Sequence, residues 1–233
     1  TEGLWNVISI SDLDNNGFQD LILGNAGLNL KWKASKEKPV KLYVHDFDEN
    51  EQLDPIIFYD FFGEYVPFSS KDKLVGQLPL LKKKFLDYEK FSKIKSIKDL
   101  TGVKEKEILV SKKISELRSM ILFNSGSDFS AAPFRNEAQM STIEDIYIDK
   151  NENTTDILFV GNYLGFTTEL GESASNSGGM ITINKKGEQI SYAQFPLPTN
   201  LNSRKIEKLA ENKFLVIANN DKSYIFEKPT TIK

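Results

Sequence analysis

Two stretches of the chain place oxygen-bearing side chains at alternating positions: Asp12, Asp14, Asn16 and Asp20 in the first, and Asp46, Asp48, Asn50 and Asp54 in the second. A hard cation such as calcium takes roughly six to eight oxygens, and a short loop supplies most of them when side chains 1, 3, 5 and 9 and the carbonyl of residue 7 converge. Those carbonyls belong to Phe18 and Gln52. Position 6 of such a loop needs a positive φ. Gly17 meets that need without steric conflict, whereas Glu51 stands there in the second loop at a cost of about 1 kcal/mol. Three aspartates facing one centre repel one another unless a cation lies between them, so the pattern predicts Ca2+ at one or two sites. An EF-hand loop would end with a bidentate glutamate at position 12, between helices. Position 12 here is Leu23 or Ile57, each in a stretch of strand character.

A third, altered copy spans Ile148 to Gly161. With Asp156 as its ninth residue, positions 1, 3 and 5 become Ile148, Lys150 and Glu152. A shift by one recovers Asp149, Asn151 and Asn153 but puts Ile157 in the ninth place. A plain polar turn is expected there, with no metal site.

The acidic loops need strands on both sides to hold them. Leu4 to Ile10 and Val40 to Val44 alternate apolar and polar residues before the loops, and the apolar runs Leu21–Leu23 and Ile56–Tyr59 follow them. Asp46 lies 34 residues after Asp12, a spacing that suits one supersecondary unit per repeat. Between residues 69 and 102 the pattern changes. Leu74, Leu78, Leu81, Phe85 and Tyr88 fall at three- and four-residue steps, and Ser96 and Gly102 read as start and stop signals, so a helical insertion is predicted. Strand character returns at Ile108–Val110, Leu117–Phe123, Ile157–Val160, Met180–Ile183, Gln189–Phe195, Phe214–Ala218 and Tyr224–Phe226. Residues 164–179, rich in Gly, Ser and Thr, are expected to form a long surface loop.

The 233 residues carry a net charge of −3, no cysteine and one histidine. That balance argues against a dedicated nucleic-acid binder, and it excludes disulfides, thiolate nucleophiles and cysteine-based zinc sites. No apolar run approaches the roughly 20 residues of a membrane-spanning helix. The chain opens at Thr1 without a charged leader and apolar segment, as expected of a processed or excerpted chain.

At Asp12–Asn25, and again from Asp46, the sequence resembles the FG-GAP or VCBS repeat family, whose loops read Asp-x-Asp-x-Asp-Gly-x-x-Asp followed by an apolar strand and Gly-Asn. It is most similar to bacterial members near the cartilage acidic protein group. The similarity extends through Gly27–Asn29, Lys33–Pro39, Gln77–Pro79, Lys82–Phe85, Glu137–Gln139 and Val160–Tyr163, and departs at the third loop and at Glu169–Ser173. The resemblance implies an all-β fold, a β-propeller related to the integrin α-chain head, with calcium under each blade. Residues 1–233 would supply three or four blades of a partial propeller, its missing blades preceding Thr1, with the helical insertion at about 69–102. It also implies a repeat protein that is secreted, periplasmic or on the outer cell surface.

The expected function is that of a non-catalytic, calcium-stabilised module that binds a protein or glycan, alone or as part of a larger surface protein or complex. The alternative is a polysaccharide-active enzyme built on a propeller, although no pair of carboxylates outside the metal loops is placed for acid–base work. His45 is expected to be a packing or solvent-facing residue. Lys82, Lys83, Lys84, Lys90, Lys93, Lys95 and Lys98 are expected to form the solvated face of the insertion, and Trp5, Trp32, Tyr163 and Phe166 to be core or packing aromatics before sugar platforms.

Overall fold

The computed structural model describes residues 2–229. In chain order the strands are β1 (Val7–Ser11), β2 (Asp20–Gly24), β3 (Val40–His45), β4 (Asp54–Phe61) and β5 (Glu64–Pro67). Four short helices follow: α1 (Lys71–Gln77), α2 (Leu81–Lys84), α3 (Tyr88–Ser92) and α4 (Ile97–Thr101). The chain then continues through β6 (Val110–Ile114), β7 (Met120–Asn124), β8 (Phe129–Pro133), β9 (Ile143–Lys150) and β10 (Thr154–Gly161). It ends with β11 (Gly178–Asn184), β12 (Gln189–Gln194), β13 (Ser203–Ala210), β14 (Lys213–Ala218) and β15 (Tyr224–Glu227).

Two compact units result, one of Thr1–Gly3 and Trp32–Glu116, the other of Leu4–Lys31 and Leu117–Lys233. The first holds one antiparallel sheet in the order β5-β4-β3-β6, together with all four helices. Its core is shared between layers: Tyr43, Ile56 and Phe58 of the sheet meet Leu74, Leu78, Leu81, Ile94, Ile97 and Leu100 of the helical segment. The helices are short but capped. Ser70, Asp87 and Ser96 accept hydrogen bonds from the amides of Lys73, Lys90 and Asp99, and Gly102 ends α4 in the left-handed conformation.

The second unit holds three sheets, β1-β2-β7-β8, β12-β11-β10-β9 and β13-β14-β15. Strand β10 explains its own sequence. Ile157 and Phe159 enter one core with Ile22, Ile121 and Ile181, while Leu158 and Val160 enter another with Met180, Phe195, Phe214 and Val216. A strand buried on both faces needs a continuous apolar run, because successive side chains point to opposite sides.

The β-propeller expectation is overturned. The described strands form four separate small sheets of four, four, four and three strands, none closed or curled, and with the four helices they make a mixed α/β fold. The propeller-based functions, module and enzyme alike, fall with it. The physical reason lies in what a strand–loop–strand repeat encodes. It specifies a local hairpin, while the order and closure of sheets are set by long-range pairing. Here that pairing puts β7 beside β2 and β6 beside β3, each across a long stretch of chain. The expected surface loop at 164–179 also differs: Ser173, Asn176 and Ser177 are buried, and Ser173 pairs with Tyr163 through two backbone hydrogen bonds.

Candidate metal centres

Both acidic loops are built alike, one in each unit. The first joins β1 to β2, with Ser11 opposite Asp20, and the second joins β3 to β4, with His45 opposite Asp54. In the first, Asp12 is held in place by its own loop, accepting from the amides of Asn16 (3.2 Å) and Gly17 (3.0 Å). In the second, Asp46 accepts from Asn50 (3.0 Å) and Glu51 (2.8 Å). Burial opposes ionisation of Asp46, but these amides outweigh it and hold the carboxyl below the ordinary carboxylate value. Asp20 closes the first loop by accepting from Leu13 N (2.8 Å), and Asp54 closes the second by accepting from Phe47 N (3.4 Å). Leu13 and Phe47 are thereby fixed as buried apolar anchors at position 2.

The backbone follows the same path twice. Position 6 is left-handed in both, φ being 90° at Gly17 and 68° at Glu51, so the glutamate adopts the strained conformation in full. Position 4 is left-handed too, φ being 59° at Asn15 and at Glu49. Asn16 and Asn50 each accept from the amide two residues on, Phe18 N and Gln52 N, at 2.8 Å. That bond uses one lone pair of each amide oxygen and leaves the other for a ligand.

Each loop gathers its three aspartates. One carboxylate oxygen from each of Asp12, Asp14 and Asp20 lies within 4.8 Å of the others, and the same holds for Asp46, Asp48 and Asp54. These clusters can coordinate a metal ion. In the second, Asp48 Oδ1 is closed off from solvent and has no hydrogen-bond partner.

Three residues that support the loops lie outside them and have no local signal in the sequence. Asn124 donates its amide to Asp20 Oδ1 (2.8 Å), Gln77 its side-chain amide to Asp54 Oδ1 (3.2 Å), and Lys150 its ammonium to the carbonyl of Asp12 (2.8 Å). Beside the first loop a cleft of about 320 Å³ opens between Asp14–Asn15, the β9–β10 turn and Asn184–Lys185.

At the third hairpin, β9–β10, Asp149 stands opposite Asp156, and lysines sit between them. Lys228 reaches both carboxylates and Lys208 reaches Asp149 at 2.7 Å. Of the other singled-out residues, His45 Nδ1 accepts from Leu109 N (3.3 Å), and its ring packs edge-on against Phe47. Trp32 is buried against Phe68, and Tyr163 packs against Phe166 with the Arg204 guanidinium over its ring. No helix among the described residues is long and apolar enough to cross a membrane.

A scan of the sequence against family models finds no match, and comparisons with curated proteins and with solved structures find none either.

Proposed function

We propose that the two acidic loops are calcium sites whose occupancy fixes the β1–β2 and β3–β4 hairpins. The observation that carries this is Asp48 Oδ1, a carboxylate oxygen hidden from water and lacking any donor, on a residue that shares a cluster with the carboxylates of Asp46 and Asp54. A buried charged acceptor left in that state is costly, and a cation at the centre of the cluster relieves it. The donors are all oxygens, which favours calcium, magnesium or manganese over thiolate- or imidazole-seeking metals. Three carboxylates on one loop favour calcium, since magnesium retains several waters and binds through one or two carboxylates.

Calcium sites of extracellular modules work at about 10⁻⁴–10⁻³ M, a range filled outside the cytosol, so we place the protein in a secreted, periplasmic or outer-surface setting. The cleft beside the first loop, lined by Asn15, Asn151, Asn153, Thr154 and Asn184, offers amides and hydroxyls to a hydroxyl-rich partner such as a glycan. Thermal unfolding with calcium and then with excess chelator is the test. With free calcium at a hundred times Kd, each occupied site adds about 2.7 kcal/mol to its unit. An unchanged Tm on chelation, or equal protection by magnesium, overturns the assignment. A glycan array screened in calcium and in chelator tests the partner.

A further inference from the structure

The hairpin β4–β5 turns through Phe62 and Gly63, both at positive φ, 51° and 91°. Two such residues make a type I′ turn, whose first place favours Asn, Asp or Gly because short polar or absent side chains tolerate the left-handed region. Phenylalanine there is strained. It is also 89% exposed, the most exposed large hydrophobic residue among those described, and its neighbour Phe61 is 47% exposed with the two rings edge-on at 4.7 Å. Phe61 also packs on the buried Tyr59 at 5.9 Å, but at Phe62 strain and exposure both oppose folding, and an outlier of that kind points to use outside the chain.

Charge gives a second, independent observation. The acids flanking the tip are neutralised, Asp60 by Lys38 at 3.1 Å and Glu64 by Lys95 at 2.9 Å. The Glu64–Lys95 pair ties the hairpin to the segment that carries the exposed Lys90 and Lys98, and Lys93 paired with Glu89 at 2.9 Å. From Lys71 to Lys104 the sequence holds ten lysines against four acidic residues, in a chain whose net charge is −3. Leu86 and Tyr88, 71% and 56% exposed, add apolar surface to the same segment.

We propose that the Phe61–Phe62 tip and the lysine-bearing helical segment form a docking face for an anionic lipid bilayer. The phenyl rings enter the interfacial region and the lysines meet headgroup charge. Lysine is a hydrated point charge on a long flexible stem, suited to a diffuse negative surface, and it is depleted from protein–protein interfaces. An aromatic wedge rimmed by such residues matches the interface of an anionic membrane.

The full chain is sedimented with vesicles of mixed phosphatidylglycerol and phosphatidylcholine, and with phosphatidylcholine alone, at low and high salt. Binding is expected to the anionic vesicles only, and to weaken with salt as screening shortens. Phe62→Asn installs a residue the turn favours, so its Tm stays level or rises while vesicle affinity falls by about an order of magnitude. The double change Lys90→Glu and Lys98→Glu produces a comparable fall with an unchanged Tm. Equal binding to neutral vesicles, no vesicle binding, or full binding by Phe62→Asn overturns the proposal. A protein captured by the wild-type chain and lost by Phe62→Asn, without vesicle binding, gives the tip to a protein partner instead.

Discussion

The hairpins β1–β2 and β3–β4 each gather three aspartates into one cluster, while β9–β10 carries two aspartates clamped by lysines. The difference begins with loop length. Eight residues, 12–19 and 46–53, separate the paired positions that frame the acidic loops, but only six, 150–155, separate Asp149 from Asp156. Two residues fewer let Lys150 and Thr155 pair as well, and the turn closes with a hydrogen bond from Asn151 N to the Thr154 carbonyl. No loop is left to wrap an ion. The negative charge remains, and Lys208 of β13 and Lys228, just past β15, supply the cation from far along the chain. The three hairpins thus differ in how their carboxylates are met: two gather them in clusters that can coordinate a metal ion, and the third sets them against ammonium groups.

Removing the ammonium should have the largest effect. Lys228 is 13% exposed and its partners Asp149 and Asp156 are 10% and 7% exposed, so Lys228→Met leaves Asp156 without its cation and Asp149 with Lys208 alone, and should destabilise by about 3 kcal/mol in denaturant unfolding. Added calcium should not recover that loss, because this hairpin has no loop to wrap an ion. A variant as stable as the parent would break the comparison.

Chelation, or Asp14→Asn with Asp48→Asn, comes next. Each lost site should lower the Tm of its unit, by roughly 10–20 °C in the first unit and roughly 5–10 °C in the larger second one, the shifts expected of about 2.7 kcal/mol in domains of those sizes. Calcium should no longer protect the double variant, while the lysine-clamped hairpin stays intact.

Titration sharpens the contrast further. Burial opposes ionisation of Asp149, but hydrogen bonds from Lys208 and Lys228 outweigh it and hold the carboxyl below its ordinary 3.8. Burial disfavours the Lys228 ammonium, but Asp149 and Asp156 outweigh it and lift it above its ordinary 10.5. A depressed carboxyl contributes stability above its unfolded pKa, which is lost as pH falls through the folded value. A raised lysine contributes below its unfolded pKa, and loses that contribution as pH rises through the folded one. The clamp therefore acts in full between about pH 4 and pH 10.5. Lys228→Met should show a flatter loss of Tm than the parent on acidification below that window.

The smallest effect belongs to Glu51→Gly. Relief of the left-handed strain at φ 68° is partly offset by the greater chain entropy of glycine, leaving a gain of about 0.5 kcal/mol and a modestly tighter second loop in calcium titrations.

Much of the local structure was legible from residue order. The alternation of Asp12, Asp14 and Asn16, with glycine at 17, describes a loop whose geometry depends on its own amides, and the second loop follows the same path even with Glu51 in place of glycine. The helical steps from Leu74 to Phe85 likewise lie where α1 and α2 form. What could not be read was any contact made at a distance. Nothing near Asp20, Asp54 or Asp149 announces Asn124, Gln77 or Lys228. The same blindness produced the propeller expectation, because a hairpin repeat looks identical whether its sheets close into a ring or remain discrete.

The sequence by itself determined the loops and hairpins, since their hydrogen bonds run between residues a few positions apart and the alternating aspartates leave one workable turn. Tertiary structure alone decided the rest: four separate sheets, a core in the first unit shared between sheet and helices, and lysines in place of a cation at the third hairpin. Those outcomes depend on burial and on charges meeting across more than fifty residues, where side-chain spacing carries no information.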